Sequence, residues 1–279
     1  MFYLLNIFIQ MKILLNNNSL FKSLRPFKDI GFVPTMGGIH KGHLSLINRS
    51  NHNNKKTIVS IFINPKQFNN RKDLKNYPRN NKNDIKILKR LKIDYLYKPS
   101  YTDVYKFKTK NKIYLDKFSK KLCGQFRKGH FRGVINVVNR LLEITRPKKI
   151  LLGNKDFQQL YLIKKHIKKN RIKTKVLPCK TVRDKNFIPF SSRLKKLNAH
   201  EKTKLIRIIK VLKKYKKDLI TKKETYSFSL IKKKIISLGA KKVDYIKIID
   251  LNTLKKPNKN KFNLFYAIYI GNIRLIDNF

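Results

Sequence analysis

The sequence predicts an α/β fold in which short buried strands alternate with amphipathic helices. The runs 30–33 and 57–63 are short, apolar and rich in β-branched residues, as expected of parallel strands that are buried on both faces. Each run is followed by a turn with Gly, Asn or Pro and then by a helical pattern. We therefore expect a Rossmann-like doubly wound parallel sheet over residues 1–178 and a smaller C-terminal α+β domain over residues 179–279, with Pro178 at the boundary.

Local signals place the individual elements. Proline and glycine end the apolar and helical stretches, and polar loops separate them. The pattern predicts strands at 12–15, 30–33, 57–63, 93–97, 149–152 and 172–177. It also predicts helices at 19–25 and 82–92, a helix that begins at about 42 and another that ends at about 143. Residues 105–118 alternate enough to predict a hairpin or an edge pair. In the smaller domain we expect helices at 199–217 and 227–239 and strands at 243–250 and 263–271.

The charge balance is extreme, with 68 Lys+Arg against 15 Asp+Glu and a formal net charge of +53. Such a balance is typical of nucleic-acid-binding proteins. Here, however, the lysines are spread along the chain, and the wealth of Lys, Asn and Ile without any Trp suggests drift under an AT-rich coding bias. We therefore expect general attraction of anions and no specific nucleic-acid partner. The two cysteines form no C-x-x-C motif, which argues against a disulfide framework or a zinc site and fits a reducing compartment.

The first fifteen residues are apolar, but Asn6, Gln10 and Lys12 interrupt them. The stretch is too short to span a bilayer and lacks the charged start and the small-residue cleavage site of a signal peptide. The sequence therefore predicts no membrane segment. Translation can start at Met1 or at Met11.

The segment 31–50, GFVPTMGGIHKGHLSLINRS, is predicted to form a strand, a glycine turn and a helix. Gly37 and Gly38 allow a sharp turn and a close backbone approach to a ligand. A helix start offers free N–H groups that suit a phosphate. His40 and His43 are three residues apart, so both can lie on one side of this start and donate to an oxyanion. The alternative is a pair of histidines that cap the helix or lie at the rim of the core.

Polar residues also follow the ends of two other predicted strands. Asn64 and Gln67 follow the strand at 57–63, and Lys155 and Gln159 follow the strand at 149–152. Because the carboxyl ends of parallel strands form the ligand-binding edge of such sheets, these residues can reach a substrate, with Lys155 neutralising a phosphate. The structural alternatives are a plain Asn-Pro turn and an ordinary helix N-terminus.

Two donor clusters and one acid complete the candidates. Arg127, His130 and Arg132 lie among glycines and predict a second anion site, unless they belong to a helix-capping loop with solvated arginines. The run 191–193, Ser-Ser-Arg, is a compact donor set for a pyrophosphate or, alternatively, a loop that caps the next helix. Asp84 falls in the first turn of a predicted helix, where a capping role is at least as well supported as a catalytic one.

The His-x-Gly-His element resembles the nucleotidyltransferase superfamily, and the longer run 33–46 resembles the pantothenate synthetase (pantoate–β-alanine ligase) family. Further blocks are similar to this family in the same order. They are VSIFINPKQF from 59, YPR from 77, LCG from 122, GHFRG from 129, GNKDFQQ from 153, VR from 182, SSR from 191 and the tail GNIRLIDN from 271. Several blocks in register are far more specific than any one of them.

The resemblance implies a two-step reaction in which ATP and pantoate give pantoyl adenylate and pyrophosphate, and β-alanine then gives pantothenate and AMP. It implies His43 as the catalytic histidine, Gln67 and Gln159 as pantoate ligands, and Gln67 also near β-alanine. It implies an ATP site formed by Met36, Gly37, Gly38, Ile39, His40, Lys41, Gly42, His43, Gly153, Asn154, Lys155, Asp156, Val182, Phe190, Ser191, Ser192 and Arg193. It also implies Mg²⁺ on the nucleotide, through ligands that the motifs do not identify, and a cytoplasmic homodimer.

The sequence departs from the family pattern at four places. Lys128 replaces a usual proline, and Asn154 stands where Glu or Gln is common. The run 187–189, Phe-Ile-Pro, replaces a Gly-Leu-Ala-like turn, and Leu194 replaces an Asn. The last two predict an altered shape of the Ser-Ser-Arg loop and a reduced activity.

Two alternative functions remain at this stage. One is another nucleotidyltransferase with the His-x-Gly-His element, for which the charge suggests a link to tRNA and which would not need the pair Gln67 and Gln159. The other is a basic nucleic-acid-binding protein without enzymatic activity, which would need a clustered basic face.

Overall fold

The computed structural model describes residues 10–221, 227–257 and 262–279. Residues 1–9, which distinguish a start at Met1 from one at Met11, lie outside this part. The larger sheet has six parallel strands in the order β1-β4-β3-β2-β5-β6. They are β1 (Lys12–Leu14), β2 (Ile30–Thr35), β3 (Lys56–Ile61), β4 (Tyr95–Tyr97), β5 (Lys149–Gly153) and β6 (Lys175–Cys179). The predicted doubly wound parallel sheet is thus confirmed.

Ten α-helices are described, and the longest of them is in the C-terminal part of the chain. They are α1 (Asn17–Leu24), α2 (Lys41–Asn53), α3 (Arg71–Lys75), α4 (Asn81–Arg90), α5 (Tyr101–Tyr105), α6 (Cys123–Phe126), α7 (His130–Thr145), α8 (Phe157–Lys169), α9 (Ala199–Thr221) and α10 (Phe228–Ser237). No helix within the described ranges has the length and apolar content that crossing a membrane requires.

Successive strand residues point to opposite faces of the larger sheet, and each face has its own core. Phe32 and Ile58 pack with α1, α7 and α8 on one face. Their neighbours Val33 and Val59 pack with α2 and α4 on the other. Because helices cover both faces, the central strands are apolar throughout. Continuous apolar runs are the pattern from which the sequence predicts buried parallel strands.

The strand order reverses beside β2. From β2 the chain moves outward through β3 to β4, whereas β5 and β6 lie on the other side of β2. The crevice between the carboxyl ends of β2 and β5 is therefore a topological switch point, the place where open α/β sheets bind ligands.

A three-stranded antiparallel sheet forms the second, smaller unit, with strands β7 (Lys242–Ile249), β8 (Asn263–Ile270) and β9 (Ile273–Asn278). Its third strand was not predicted. Alternation along β8 divides its side chains between two cores: Leu264 and Ile268 pack with α9 and α10. Phe265 and Ala267 pack into the core of the larger unit. The small sheet is therefore sandwiched between its own helices and the larger unit.

The predicted hairpin at 105–118 is wrong. After α5 the chain is irregular up to a 3₁₀ turn at Lys117–Lys120. Side chains of α7 and α8 take the place of a partner strand, because Glu143 accepts hydrogen bonds from the N–H groups of Lys110 and Asn111, and His166 Nδ1 accepts one from Tyr114 N–H. Three N–H groups of this segment are therefore satisfied by those side chains and need no partner strand.

The last parallel strand, predicted at 172–177, begins three residues later and includes Pro178. Pro178 is tolerated because β6 is an edge strand of the sheet. We propose that the smaller domain begins where β6 ends, close to the expected boundary between 178 and 179.

The buried histidine of α8 predicts a loss of stability in acid. Burial lowers the pKa of His166 from 6.5 to about 4. Between these values the unfolded chain binds a proton that the folded chain does not. The contribution of His166 to the free energy of unfolding is therefore complete above pH 6.5 and falls by roughly 3 kcal/mol towards pH 4.

We expect His166→Gln, which keeps a donor and an acceptor but does not titrate, to make the pH dependence of unfolding in urea shallower by the part that His166 contributes. The exposed His52→Gln is the matched control and should leave it unchanged. Parallel curves for His166→Gln and the unmodified chain would contradict the assignment.

Candidate active site

The turn after β2 is held by a buried carboxylate from α4. Asp84, 1% exposed, accepts hydrogen bonds from Gly38 N–H at Oδ2 and Ile39 N–H at Oδ1, both at 2.8 Å. Gly37 N–H donates to Thr35 Oγ1 at 3.2 Å. These amides are therefore not free for a phosphate, which corrects the expected cradle of bare N–H groups. Asp84 is not the cap of α4, because Asn80 caps that helix. Its carboxylate is also not free for catalysis, because both oxygens accept hydrogen bonds from the turn.

Both glycines of the turn are required by the chain itself. Gly37 and Gly38 have φ of 80° and 64°, in the left-handed region. A Cβ on Gly37 would lie 3.0 Å from Asp84 Oδ2, and one on Gly38 would lie 3.0 Å from Ser192 Cβ. The close approach that the glycines allow is thus to the supporting carboxylate and to a loop of the smaller unit.

His40 and His43 lie together at the start of α2, with their rings stacked and the centroids 4.0 Å apart. His40 is also the helix cap, because its Nδ1 accepts from Gly42 N–H at 3.1 Å. The capping alternative is therefore correct for His40, without excluding a role towards a ligand. Since Nδ1 is an acceptor, the proton of the neutral ring is on Nε2.

Both imidazoles are neutral at pH 7. Burial, followed by the charge of Lys155, lowers the pKa of His40 to about 4. Burial, followed by His40 and Lys155, holds the pKa of His43 well below its usual 6.5. Within the described part of the chain, His43 Nδ1 is buried without a hydrogen-bond partner. The pair can therefore offer hydrogen bonds to a ligand, whereas positive charge must come from other residues.

A cavity of about 300 Å³ opens at the switch point between β2 and β5. Most of the predicted site residues line it: Met36, His40, Gly42, His43, Gln67, Gly153, Lys155, Asp156, Gln159, Val182, Phe190, Ser191, Ser192 and Arg193. The remaining five, Gly37, Gly38, Ile39, Lys41 and Asn154, are not among the lining residues. Part of the wall is apolar, with Phe62, Phe131 and residues of α7.

The predicted second anion cluster splits in two. Arg127 and His130 line the cavity, whereas Arg132 is exposed elsewhere. His130 Nε2 accepts from Arg127 at 2.9 Å, so Nδ1–H donates to the carbonyl of Gln67 at 2.8 Å. Burial, then the charge of Arg127, lowers the pKa of His130 to about 3, which agrees with a neutral ring. These two side chains hold the backbone of Gln67 in place.

Lys155 is positioned from the smaller unit. The side-chain amide of Asn278, in β9, donates to the carbonyls of Asn154 and Lys155 at 2.8 and 2.9 Å. Lys155 Nζ lies 3.8 Å from Asp156 Oδ1 in the cavity wall. The C-terminal strand therefore holds the backbone from which the Lys155 side chain projects into the cavity.

The Ser-Ser-Arg loop reaches the larger unit through polar contacts. Arg193 pairs with Asp73 at 3.1 Å, and Ser192 Oγ lies 3.5 Å from Tyr77 OH. Ser191 caps the following 3₁₀ turn by accepting from Arg193 N–H at 3.3 Å. The loop does not cap the next helix, because Glu201 N–H at the start of α9 donates to Asn198 Oδ1. All three residues of the loop line the cavity, and their role as donors to a pyrophosphate stays a prediction.

The departures before this loop are absorbed by packing. Phe187, the first residue of the altered run 187–189, stands in the left-handed region, with φ of 67°. Its ring lies 4.2 Å from the guanidinium of Arg183, which pairs with Asp277. Ile188 is buried and Leu194 packs in the smaller core. The backbone cost of a non-glycine residue at this φ, about 1–2 kcal/mol, is offset by these contacts.

Comparison with known proteins agrees with this geometry. The family model of pantoate-beta-alanine ligase matches residues 11–279. The chain belongs to the pantoate–β-alanine ligase family. It is 42% identical over 265 residues to a pantothenate synthetase of Flavobacterium psychrophilum, with 91% of this chain and 94% of the relative covered.

Solved structures of the family have the same fold. A pantoate-beta-alanine ligase from Francisella tularensis, complexed with beta-gamma ATP and beta-alanine, has a TM-score of 0.85 and 38% identity, covering 96% of this chain and 97% of that chain. A pantothenate synthetase from Thermus thermophilus has the same TM-score at 27% identity, covering 96% and 99%. The chain is therefore an enzyme, an ATP-dependent ligase. A different nucleotidyltransferase, tRNA-linked or otherwise, and a basic nucleic-acid-binding protein are not favoured.

Sequence reasoning missed three features of this pantoate–β-alanine ligase site. The sequence gives no role to Tyr77, in the block YPR, or to Asn278, in the tail block, and it relates Asp84 only to its own helix. Each acts across a large separation in sequence, so no local pattern carried a signal. The order of the family blocks was the one available hint that these positions meet.

The support of the glycine turn by α4 gives a prediction. Asp84→Asn places an NH₂ group against one of two buried N–H donors, and leaving a buried donor unpaired costs about 1–3 kcal/mol or more when the lost partner is charged. We expect a loss of stability of this size in urea unfolding. Lys82→Ala, on the exposed side of the same helix, is the control and should change little. An Asp84→Asn variant as stable as the control would show that the turn does not depend on the carboxylate.

Proposed function

We propose that this chain condenses pantoate with β-alanine through a pantoyl-adenylate intermediate formed from ATP. The observation that carries the proposal is the convergence, in one cavity at the switch point, of a neutral histidine pair, Lys155, the Ser-Ser-Arg loop and the amides Gln67 and Gln159. A nucleotidyl transfer needs the first three groups, and a small hydroxy acid suits the two amides.

In the first step a carboxylate oxygen of pantoate attacks the α-phosphorus of ATP, and pyrophosphate leaves. In the second, the amine of β-alanine attacks the acyl carbon, the C–O bond to the phosphate breaks, and AMP leaves. Both steps are attacks on an electrophile that is held in place, so orientation and charge stabilisation are the main tasks of the protein. Lys155 and Arg193 supply the positive charge for the phosphates.

His43 acts as a hydrogen-bond donor and not as a general base. A group with a pKa well below 6.5 accepts a proton poorly at pH 7. A neutral imidazole in a buried site still donates one hydrogen bond, and a preorganised donor stabilises the charge that develops on the α-phosphate. His40, with its proton on Nε2, offers a second donor beside it.

The remaining ATP assignments divide by position. Met36, Gly42, Gly153, Asp156, Val182, Phe190, Ser191 and Ser192 line the cavity and are proposed to contact the nucleotide. Gly37, Gly38, Ile39, Lys41 and Asn154 are proposed to shape the ATP site through the turns on which the lining residues lie. Lys41, whose Nζ is 5.5 Å from the ring centroid of Phe190, supports one wall in this way.

Mg²⁺ is proposed to arrive with ATP. Among the described residues no group of three or more His, Cys, Asp or Glu side chains is arranged to hold a metal ion. Mg²⁺ on a nucleotide keeps several waters and needs only one or two carboxylates. Asp156, whose side chain is 46% exposed at the cavity, fits this requirement. The family resemblance further supports a cytoplasmic homodimer as a proposal.

The proposal is tested by incubating the full chain with ATP-Mg²⁺, pantoate and β-alanine and by measuring products by mass spectrometry. We expect pantothenate, AMP and pyrophosphate in equal amounts. Formation of ADP, or product without pantoate, would refute the proposed reaction.

The role of His43 predicts the effect of its removal. His43→Ala should lower adenylate formation by about 10²-fold or more, the scale of losing one preorganised donor. His52→Ala, an exposed histidine at the end of the same helix, is the matched control and should keep full activity. Normal activity of a folded His43→Ala variant would remove the assignment.

The two glutamines predict a change in substrate affinity. Gln67→Ala or Gln159→Ala should weaken pantoate binding roughly 10- to 100-fold, because a hydrogen bond to a charged group is worth about 1.5–3 kcal/mol. ATP binding, measured by calorimetry, should change much less. The exposed Gln125→Ala is the control. Equal losses for both ligands would indicate that the glutamines only support the fold.

A further inference from the structure

The side chain of Gln67 is held by a buried amide that does not itself line the cavity. Asn64 is 1% exposed, and its Nδ2 donates to Gln67 Oε1 at 3.3 Å and to the carbonyl of Gly133 at 3.2 Å. Its Oδ1 accepts from Lys66 N–H at 3.2 Å. The N–H of Lys66 can only donate and the carbonyl of Gly133 can only accept. These two backbone partners therefore distinguish the Oδ1 end of the Asn64 amide from its Nδ2 end.

This orientation fixes the polarity of Gln67 in turn. Asn64 presents its NH₂ group to Gln67, so Gln67 must turn its oxygen towards Asn64. The Nε2 of Gln67 then faces Met36 in the cavity wall, with Nε2 and Met36 Sδ 2.7 Å apart. A ligand in the cavity therefore meets a donor at this position. A donor suits the carboxylate or hydroxyl oxygens of a small hydroxy acid.

The outer end of the same chain of hydrogen bonds is Tyr105. Its hydroxyl donates to Asn64 Oδ1 at 2.8 Å. Two cations make cation–π contacts with its ring: Lys66 Nζ lies 4.2 Å and the Arg140 guanidinium 5.0 Å from the ring centroid. Tyr105 is not among the residues that line the cavity.

We propose that Tyr105 is a positioning residue for the acid substrate, acting through Asn64 on the orientation of the Gln67 amide. The inference rests on the proposed function, in which Gln67 binds pantoate. Burial raises the pKa of the Tyr105 hydroxyl to about 12, so it stays protonated and donates over the working pH range. Without this donor the Asn64 amide is held by its two backbone partners alone, so Asn64 and the Gln67 amide that it orients are less firmly placed.

The test is Tyr105→Phe, which removes the hydroxyl and keeps the ring. We expect the KM for pantoate to rise about fivefold, the factor for one neutral hydrogen bond, with the KM for ATP unchanged. Tyr101→Phe is the matched control, since Tyr101 is 46% exposed and stacks on Tyr105 with the centroids 4.7 Å apart. It should alter neither KM.

A double-variant cycle separates positioning from a structural role. In a Gln67→Ala background, Tyr105→Phe should change the KM for pantoate less than about twofold, because the residue through which it acts is gone. An unchanged KM in Tyr105→Phe, an equal rise for ATP, or an undiminished effect without Gln67 would each overturn the proposal. If Gln67→Ala itself leaves pantoate binding intact, the assignment of Gln67 fails, and the positioning role falls with it.

Discussion

The contact on which the site depends is the one between the Asp84 carboxylate and the amides of Gly38 and Ile39. It ties α4 to the turn after β2 and so fixes where α2 begins. The stacked pair of His40 and His43 is placed by that helix start. A charged acceptor satisfies two buried donors in a turn that requires positive φ at two residues, and an uncharged side chain could not do so as well.

The smaller unit contributes to the same site from the opposite side. One face of its sheet joins the core of the larger unit, while Asn278 orients the backbone of Lys155 and the loop 191–193 reaches Asp73 and Tyr77. A site built from both units brings the residues proposed to contact the nucleotide together in one cavity. Phe187, Ile188 and Leu194 pack in the core of the smaller unit, and the reduced activity expected from the changes at 187–189 and at Leu194 stays a prediction.

Much of the fold followed from the sequence, because strands buried on both faces and amphipathic helices leave clear apolar patterns, as β2, β3 and α7 illustrate. The failures have physical causes. The segment after α5 alternates like a strand, but Glu143 and His166 satisfy its backbone from distant helices. Residues of the site were predicted where a polar cluster follows a strand, as with Gln67. The supports Asp84, Tyr105 and Asn278 act over long sequence separations, and their roles became visible only in three dimensions.

The central claim is that the cavity activates pantoate by adenylation before the amine is involved. The most direct test is the exchange of labelled pyrophosphate into ATP, measured with ATP-Mg²⁺ and pantoate in the absence of β-alanine. We expect exchange that depends strictly on pantoate and is lost when pantoate is replaced by an acid that the glutamines do not bind. Exchange without pantoate, or no exchange by a chain that still forms pantothenate from all three substrates, would contradict it.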